Sequence, residues 1–143
     1  MTRLVFCLLL AVMPAAYGQV APPVDRSVNM TREIMDPNGR PMPDGSVKEP
    51  DDKDCKNCPN LTVGRIAAMA LNAAFEDERN LGWQTRFDRS SLAKRIINDP
   101  KAVLDGTETA TIERLVGKLG LNGTVLIQVI ETIDPNAKPG KVQ

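Results

Sequence analysis

The chain has 143 residues, enough for one ordinary domain, and its 18 basic residues balance its 18 acidic residues. A balanced charge gives no overall field that would favour binding to nucleic acid or to an anionic membrane. The chain contains no histidine, so the commonest general base and the commonest metal ligand are both missing, which argues against an enzyme.

Residues 1–18 have the three-part pattern of a signal peptide. Arg3 supplies a positive start, Leu4–Met13 is an apolar run, and Ala16–Gly18 offers a small-residue cleavage site. The apolar run is too short to span a membrane. The sequence therefore predicts a periplasmic or secreted protein after cleavage. The alternative is translation from Met30, which would give a cytoplasmic protein.

Residues 19–60 are rich in turn-forming residues and poor in regularly spaced apolar ones. The segments Asp36–Gly39 and Pro43–Gly45 are turn signals, and the run Glu49–Asp54 is acidic without the spacing of a calcium loop. Such a composition buries too little apolar surface to offset the cost of ordering the chain. The sequence therefore predicts a disordered, acidic and Pro/Gly-rich arm.

A CxxC pair, Cys55 and Cys58, lies near the end of this arm. Removal of the signal peptide also removes Cys7, so an even pair remains in an oxidising compartment, which favours a local disulfide. A thioredoxin-like redox site needs a helix N-terminus at the first cysteine, but the next predicted helix begins only near Thr62. Zinc needs four ligands, so a standard zinc site would require two chains that share their cysteines.

Four segments with helical spacing of apolar residues predict an all-α domain, a small bundle of about four short helices over residues 61–134. The predicted helices are Leu61–Phe75, Trp83–Asn98, the segment from Asp105 to Gly120, and Thr124–Ile133. Thr62 is a candidate N-cap, and Asp105 with Glu108 matches a capping box. The last segment is rich in β-branched residues, so a strand is its alternative. Residues 135–143 are predicted to be a disordered tail.

The second and the fourth predicted helices differ in the quality of their apolar sides. The second helix has an irregular apolar side formed by Trp83, Phe87, Leu92, Ile96 and Ile97. The fourth has a wide apolar face formed by Leu126, Val129, Ile130 and Ile133, with Val125 and Ile127 at its edges. A face of this width is typical of a central helix or of one that meets a partner.

The second helix also carries a group of cations. A possible phosphate contact is formed by Arg86, Arg89, Lys94 and Arg95. Phosphate or nucleic-acid contact is one interpretation of these residues, and a solvated helix face is the other. No recognisable nucleic-acid motif accompanies them, so the solvated face is the preferred interpretation.

The order of these elements resembles a loose group of small proteins encoded in tailed bacteriophages and prophages. In that group a D-x-x-G-x-P arm leads to an L-T-x-G-x-x-A-x-x-A-L helix. A basic helix follows, then an acid-capped helix ending in L-[IV]-G-K, and last an apolar helix before an aspartate. The counterparts in this chain, within about residues 33–134, are Asp36–Pro41, Leu61–Leu71, Ile112–Lys118 and Gln128–Asp134. The resemblance implies no catalytic residue, and the leader and the CxxC pair depart from the pattern.

The sequence therefore predicts a non-enzymatic interaction or assembly protein of phage or prophage type, without a metal or cofactor. A core within residues 61–133 is small, and Gly64 and Gly117 weaken its helices, so a protein partner or a homo-oligomer is expected. The alternative is an exported accessory protein whose CxxC pair is a structural or redox disulfide.

Overall fold

The computed structural model describes residues 25–48 and 51–137. Its helices are α1, α2, α3 and α4, and its strands β1 and β2 pair antiparallel in one small sheet. The helices span Val63–Asn72, Trp83–Asn98, Gly106–Lys118 and Gly123–Ile133, and the strands span Arg26–Ser27 and Val103–Leu104. The described part is thus mostly helical, as predicted, with a small sheet that the sequence did not suggest. The predicted signal peptide lies outside the described residues.

Side chains at the helix ends explain where the helices begin. Thr62 accepts a hydrogen bond from the backbone N–H of Arg65 at the start of α1, which confirms the predicted cap. Asp105 and Glu108 form the predicted capping box at the start of α3. Gly120 follows α3 with φ 66°, a left-handed conformation that glycine adopts without a steric penalty. Local sequence therefore sets these boundaries.

The helix α1 lies at the centre of the domain and packs against α2, α3 and α4. Its buried residues are Val63, Gly64, Ile66, Ala67, Ala68, Ala70 and Leu71. Because most of these side chains are small, neighbouring elements can approach α1 closely. The helix ends at Asn72, earlier than the predicted Phe75, and a short 3₁₀ turn at Glu76–Glu78 follows.

The segment before α1 differs from the predicted disordered arm. Val28, Met30 and Ile34 are all at most 2% exposed and belong to the same core as the helices. The backbone N–H groups of Val28 and Met30 donate to the carbonyls of Ala102 and Pro100, each at 2.9 Å. Residues 25–48 are therefore a packed part of the domain, because Val28, Met30 and Ile34 lie in the core, although Met35 and Val47 are exposed.

The turn signals of this segment form the turns that were predicted, but they connect packed pieces of chain. The carboxylate of Asp36 accepts from the backbone N–H groups of Asn38 and Arg40, and Gly39 has φ 75°. This turn brings Met35 and Pro41 into an isolated antiparallel bridge. Proline and glycine here mark where the chain reverses.

The polar side of α4 holds this segment in place. The side-chain amide of Gln128 accepts from the backbone N–H of Met35 and donates to its carbonyl, each at 2.9 Å. At the end of α4, Asp134 pairs with Arg26 of β1 at 2.8 Å. Val125, Val129 and Ile133 from the apolar face are buried, so this face is largely covered by the domain itself. Within residues 25–48 and 51–137, no helix is long and apolar enough to cross a membrane.

The carboxyl group of Glu113 lies near the Arg26–Asp134 pair, and its ionisation makes the stability of the fold depend on pH. Oε1 of Glu113 is buried and has no hydrogen-bond partner among the described residues. Burial and the negative charge of Asp134 raise the pKa of Glu113, while Arg26 lowers it by a smaller amount. A raised folded-state pKa means that ionisation of Glu113 destabilises the fold at neutral pH, and that protonation removes this cost as the pH falls.

We therefore expect Glu113→Gln to raise the urea midpoint at pH 7, with a gain that shrinks towards pH 4. Urea unfolding at both pH values measures this effect. Glu131→Gln, at an exposed position of α4, is the control and should change the midpoint little. A lower midpoint for Glu113→Gln at pH 7 would show that the carboxylate stabilises the fold.

Candidate interaction surface

The outward face of α2 exposes large apolar side chains. Trp83 is 76% exposed, Phe87 is 61% exposed and Ile97 is 53% exposed, whereas the buried residues of the helix are Arg89, Ala93 and Ile96. The predicted apolar side of this helix was therefore wrong for Trp83, Phe87 and Ile97. Leu92 is partly buried against the core and Ile96 is buried, as predicted.

Helix geometry places the exposed residues on one continuous strip. Trp83, Phe87, Lys94 and Ile97 are separated by four, seven and three residues, and at about 100° per residue these positions share one side of a helix. The rise from Trp83 to Ile97 is about 21 Å at 1.5 Å per residue. We call this strip, together with Arg86 at its edge, the outer face of α2.

The outer face carries positive charge and no acidic residue. The guanidinium of Arg86 donates to the carbonyl of Arg79 at 2.8 Å, and Lys94 is exposed. Neither residue forms an ion pair with any other described residue. The acidic residue of the helix, Asp88, lies about 100° or more around from Trp83 and Phe87 and receives a hydrogen bond from Gln84.

The other two cations of the predicted phosphate contact are engaged elsewhere. Arg89 is buried and its guanidinium donates to both oxygens of Glu78, at 2.6 and 3.2 Å. Arg95 pairs with Glu108 at 2.6 Å. The structure therefore does not bring the four predicted residues together in one site, and only Arg86 and Lys94 contribute charge to the outer face.

Glu78 joins the loop before α2 to α2 and to α3. Besides Arg89, its carboxylate receives hydrogen bonds from Arg114 and, at 3.3 Å, from Lys118, both on α3. The side chains of Glu78 and Arg89 are each only 10% exposed. The pKa of Glu78 lies well below its usual range, and the hydrogen bond from Arg89 is the largest cause. This cluster fixes the orientation of α2 and therefore of its outer face.

A cleft of about 490 Å³ lies beside the start of α2. It is lined by residues of the loop between α1 and α2, among them Phe75 and Leu81, and by Arg86 and Arg89 of the helix. Arg86 borders both the cleft and the outer face, so the two features are adjacent on the surface.

The CxxC pair lies in a turn away from any helix start. The sulfur atoms of Cys55 and Cys58 are 2.14 Å apart, a disulfide distance. The carboxylate of Asp52 accepts from the backbone N–H groups of Lys56 and Asn57, at 2.8 and 2.9 Å, and so orders the turn. The helix α1 begins at Val63, beyond both cysteines, so no helix N-terminus acts on Cys55. Among the described residues, no group of three or more possible metal ligands is found.

Comparisons with protein-family models, with curated proteins and with solved structures find no match to this chain. The resemblance to phage proteins therefore stays a prediction from the sequence motifs.

Proposed function

We propose that this chain is a non-enzymatic interaction or assembly protein of phage or prophage type, which binds protein through its helical domain. The observation that carries the proposal is the exposure of Trp83 and Phe87 on the outer face of α2. Tryptophan and arginine are enriched among the residues that dominate binding energy at protein interfaces, and Arg86 lies beside these two aromatics. Aromatic side chains give the largest gain in buried apolar area when a partner covers them.

The surface used for binding is on α2 rather than on α4. The sequence suggested a partner for the wide apolar face of α4, but Val125, Val129 and Ile133 are buried within the domain. Ile127 remains 53% exposed on α4, without an aromatic neighbour in the same helix. The outer face of α2 is the larger uncovered apolar strip of the two.

The balance of charge supports a protein partner over nucleic acid. The chain has equal numbers of acidic and basic residues, and Arg89 and Arg95 are already neutralised by carboxylates. Proteins that bind nucleic acid non-specifically depend on many cations to contact phosphates. Two cations beside two aromatic rings fit a protein interface better.

Sedimentation of the full chain over a wide range of concentration tests the proposal, together with affinity capture and mass spectrometry from cells that encode it. We expect either a concentration-dependent oligomer or one reproducibly captured protein. A chain that stays monomeric at every concentration and captures no protein would contradict the proposal.

The second candidate function is an exported accessory protein with a structural or redox disulfide. The specific observation in its favour is the disulfide distance between Cys55 and Cys58. An oxidised cysteine pair is typical of exported proteins. The ordered turn around Asp52 and the absence of a helix start at Cys55 favour a structural role over a redox role.

The intact mass of the chain, expressed from its own start codon and measured without reductant, tests this second candidate. We expect a chain that begins at Gln19 and is lighter by the two hydrogens of a Cys55–Cys58 bond. A chain that retains Met1 or begins at Met30, with two free thiols, would contradict export and the disulfide.

A further inference from the structure

We propose that the outer face of α2 binds an acidic amphipathic helix of a partner protein. In this arrangement the apolar stripe of the partner covers Trp83 and Phe87, and its carboxylates pair with Arg86 and Lys94. The inference rests on the proposed function, because it names the kind of partner that the interaction domain binds.

The shape and spacing of the outer face favour a helix as the bound element. The apolar residues Trp83, Phe87 and Ile97 follow the repeat of a helix surface over about 21 Å. Ser90 lies between Phe87 and Lys94 on the same side of α2, and its small side chain leaves room for close approach of a second helix. A helix whose apolar residues recur at the same spacing can lie along this strip and cover it.

The charge of the outer face determines the charge of the partner. Lys94 lies on the strip between Phe87 and Ile97, and Arg86 lies at its edge. No acidic residue of α2 shares this side of the helix. The acidic residues that line the cleft beside Arg86 are Glu76 and Glu78, and they pair with Arg79 and Arg89. Burial of an unpaired cation is costly, so a partner that covers the apolar strip must supply carboxylates to these two residues. A basic or neutral partner would leave Lys94 within the apolar contact, and Arg86 at its edge, without a counter-charge.

A second copy of this chain fits the outer face less well. In an antiparallel pair of α2 helices with a twofold axis near Ser90, Arg86 of one copy would lie beside Lys94 of the other, and this would occur twice. In a parallel pair, each cation would lie beside its own counterpart. Both arrangements bring together four like charges and no carboxylate, which opposes self-association through this face.

The experiment uses the fluorescence of Trp83, the one tryptophan of the chain, as a direct probe of the outer face. The probes are three synthetic amphipathic helical peptides as long as α2, with the same stripe of leucine and isoleucine. Their flanking positions carry glutamate, glutamine or lysine. We expect the glutamate peptide to shift Trp83 emission to the blue and to bind at least about tenfold more tightly than the lysine peptide, a difference of about 1.4 kcal/mol. Added salt should reduce this preference.

Two charge variants provide the matched comparison. Lys94→Glu should weaken binding of the glutamate peptide about tenfold and strengthen binding of the lysine peptide. Lys101→Glu changes the same charge at an exposed position beyond the end of α2 and should leave both affinities unchanged. If Lys94→Glu and Lys101→Glu change the two peptide affinities equally, Lys94 does not pair with the carboxylates of the partner.

The remaining outcomes separate the inference from the proposed function. Equal binding of all three peptides, or no shift with any of them, overturns the acidic partner. If the chain still oligomerises or captures a protein, the proposed function stands and only the partner chemistry is wrong.

Three fluorescence results identify other occupants of the outer face. A blue shift that appears when the chain alone is concentrated identifies a second copy as the occupant. A shift already present in the dilute chain means that the chain covers its own face, and a shift only with oligo-dT identifies single-stranded nucleic acid. Each of these three results also overturns the acidic partner.

Discussion

Replacement of Glu78 by glutamine is expected to lower the free energy of unfolding by at least about 3 kcal/mol at neutral pH. Glu78 and Arg89 are each 10% exposed, and the two form a bidentate pair. Glutamine keeps the size of the side chain but removes its charge, so Arg89 is left buried without a counter-charge. Arg114 and Lys118 lose the same partner. Urea unfolding followed by circular dichroism measures the change.

The neighbouring acid provides a matched control. Asp77 pairs with Lys118 at 2.6 Å, but its side chain is 66% exposed. Asp77→Asn should therefore cost only about 0.5 kcal/mol or less. If the two variants lose similar amounts of stability, the Glu78 cluster is not a buried ion-pair network.

The loss caused by Glu78→Gln should also depend on pH in a defined direction. The pKa of Glu78 is lower in the folded state than in the unfolded chain, where it is near the ordinary value of about 4.3. The carboxylate therefore stabilises the fold above that value, and this stabilisation is lost as the pH falls. The difference in the free energy of unfolding between the unchanged chain and Glu78→Gln should be largest at pH 7 and should shrink below about pH 4.

Replacement of Gly64 by alanine is expected to destabilise the domain by about 1–3 kcal/mol. Helix propensity alone would predict a gain of about 1 kcal/mol, because alanine is the better helix former. A Cβ at Gly64, however, would lie 2.9 Å from the carbonyl oxygen of Met30 and 3.0 Å from its Cβ. The backbone N–H of Gly64 also donates to that carbonyl at 2.9 Å, so α1 and the preceding segment cannot separate without loss of this bond.

The same substitution at Gly117 should have the opposite sign. Gly117 lies in α3 and is exposed, and apart from its chain neighbours and the nearby helix backbone no atom lies within 4 Å of the position that a Cβ would occupy. Gly117→Ala should therefore raise the free energy of unfolding by about 0.5–1 kcal/mol. Thermal unfolding of both variants measures the pair of changes. If Gly64→Ala were stabilising, the packed segment at Met30 would not lie against α1 as described.

The helices could be predicted from the sequence because their signals are local. The capping residues bond to partners only three residues away, as Thr62 does in α1 and Asp105 with Glu108 in α3. The helix α2 begins and ends where the sequence predicted. Interactions between neighbours in sequence require no knowledge of the rest of the fold.

The packed segment before α1 could not be predicted from composition, because its stability depends on distant residues. Val28 and Met30 bond to a loop more than 60 residues later in the chain, and Gln128 bonds to Met35. A signal was present, since Val28 and Met30 alternate with polar residues as in a strand. The prolines and glycines around them obscured this pattern.

The buried side of α2 differs from the side that its apolar residues predict. Its buried side contains Arg89 and Ala93, while Trp83 and Phe87 point outward, so a count of apolar residues selects the wrong side. Arg89 is buried because Glu78, eleven residues earlier and outside the helix, neutralises it. No spacing rule within a helix could reveal that pair.

A comparison of Phe87→Ser with Ile127→Ser in the affinity-capture experiment tests the binding role of the outer face of α2. Both changes replace an exposed apolar residue by serine, one on the outer face of α2 and the other on α4. We expect Phe87→Ser to abolish capture of the partner protein while Ile127→Ser preserves it, with both variants folded as judged by circular dichroism. Association that survives Phe87→Ser unchanged would contradict a binding role for the outer face of α2.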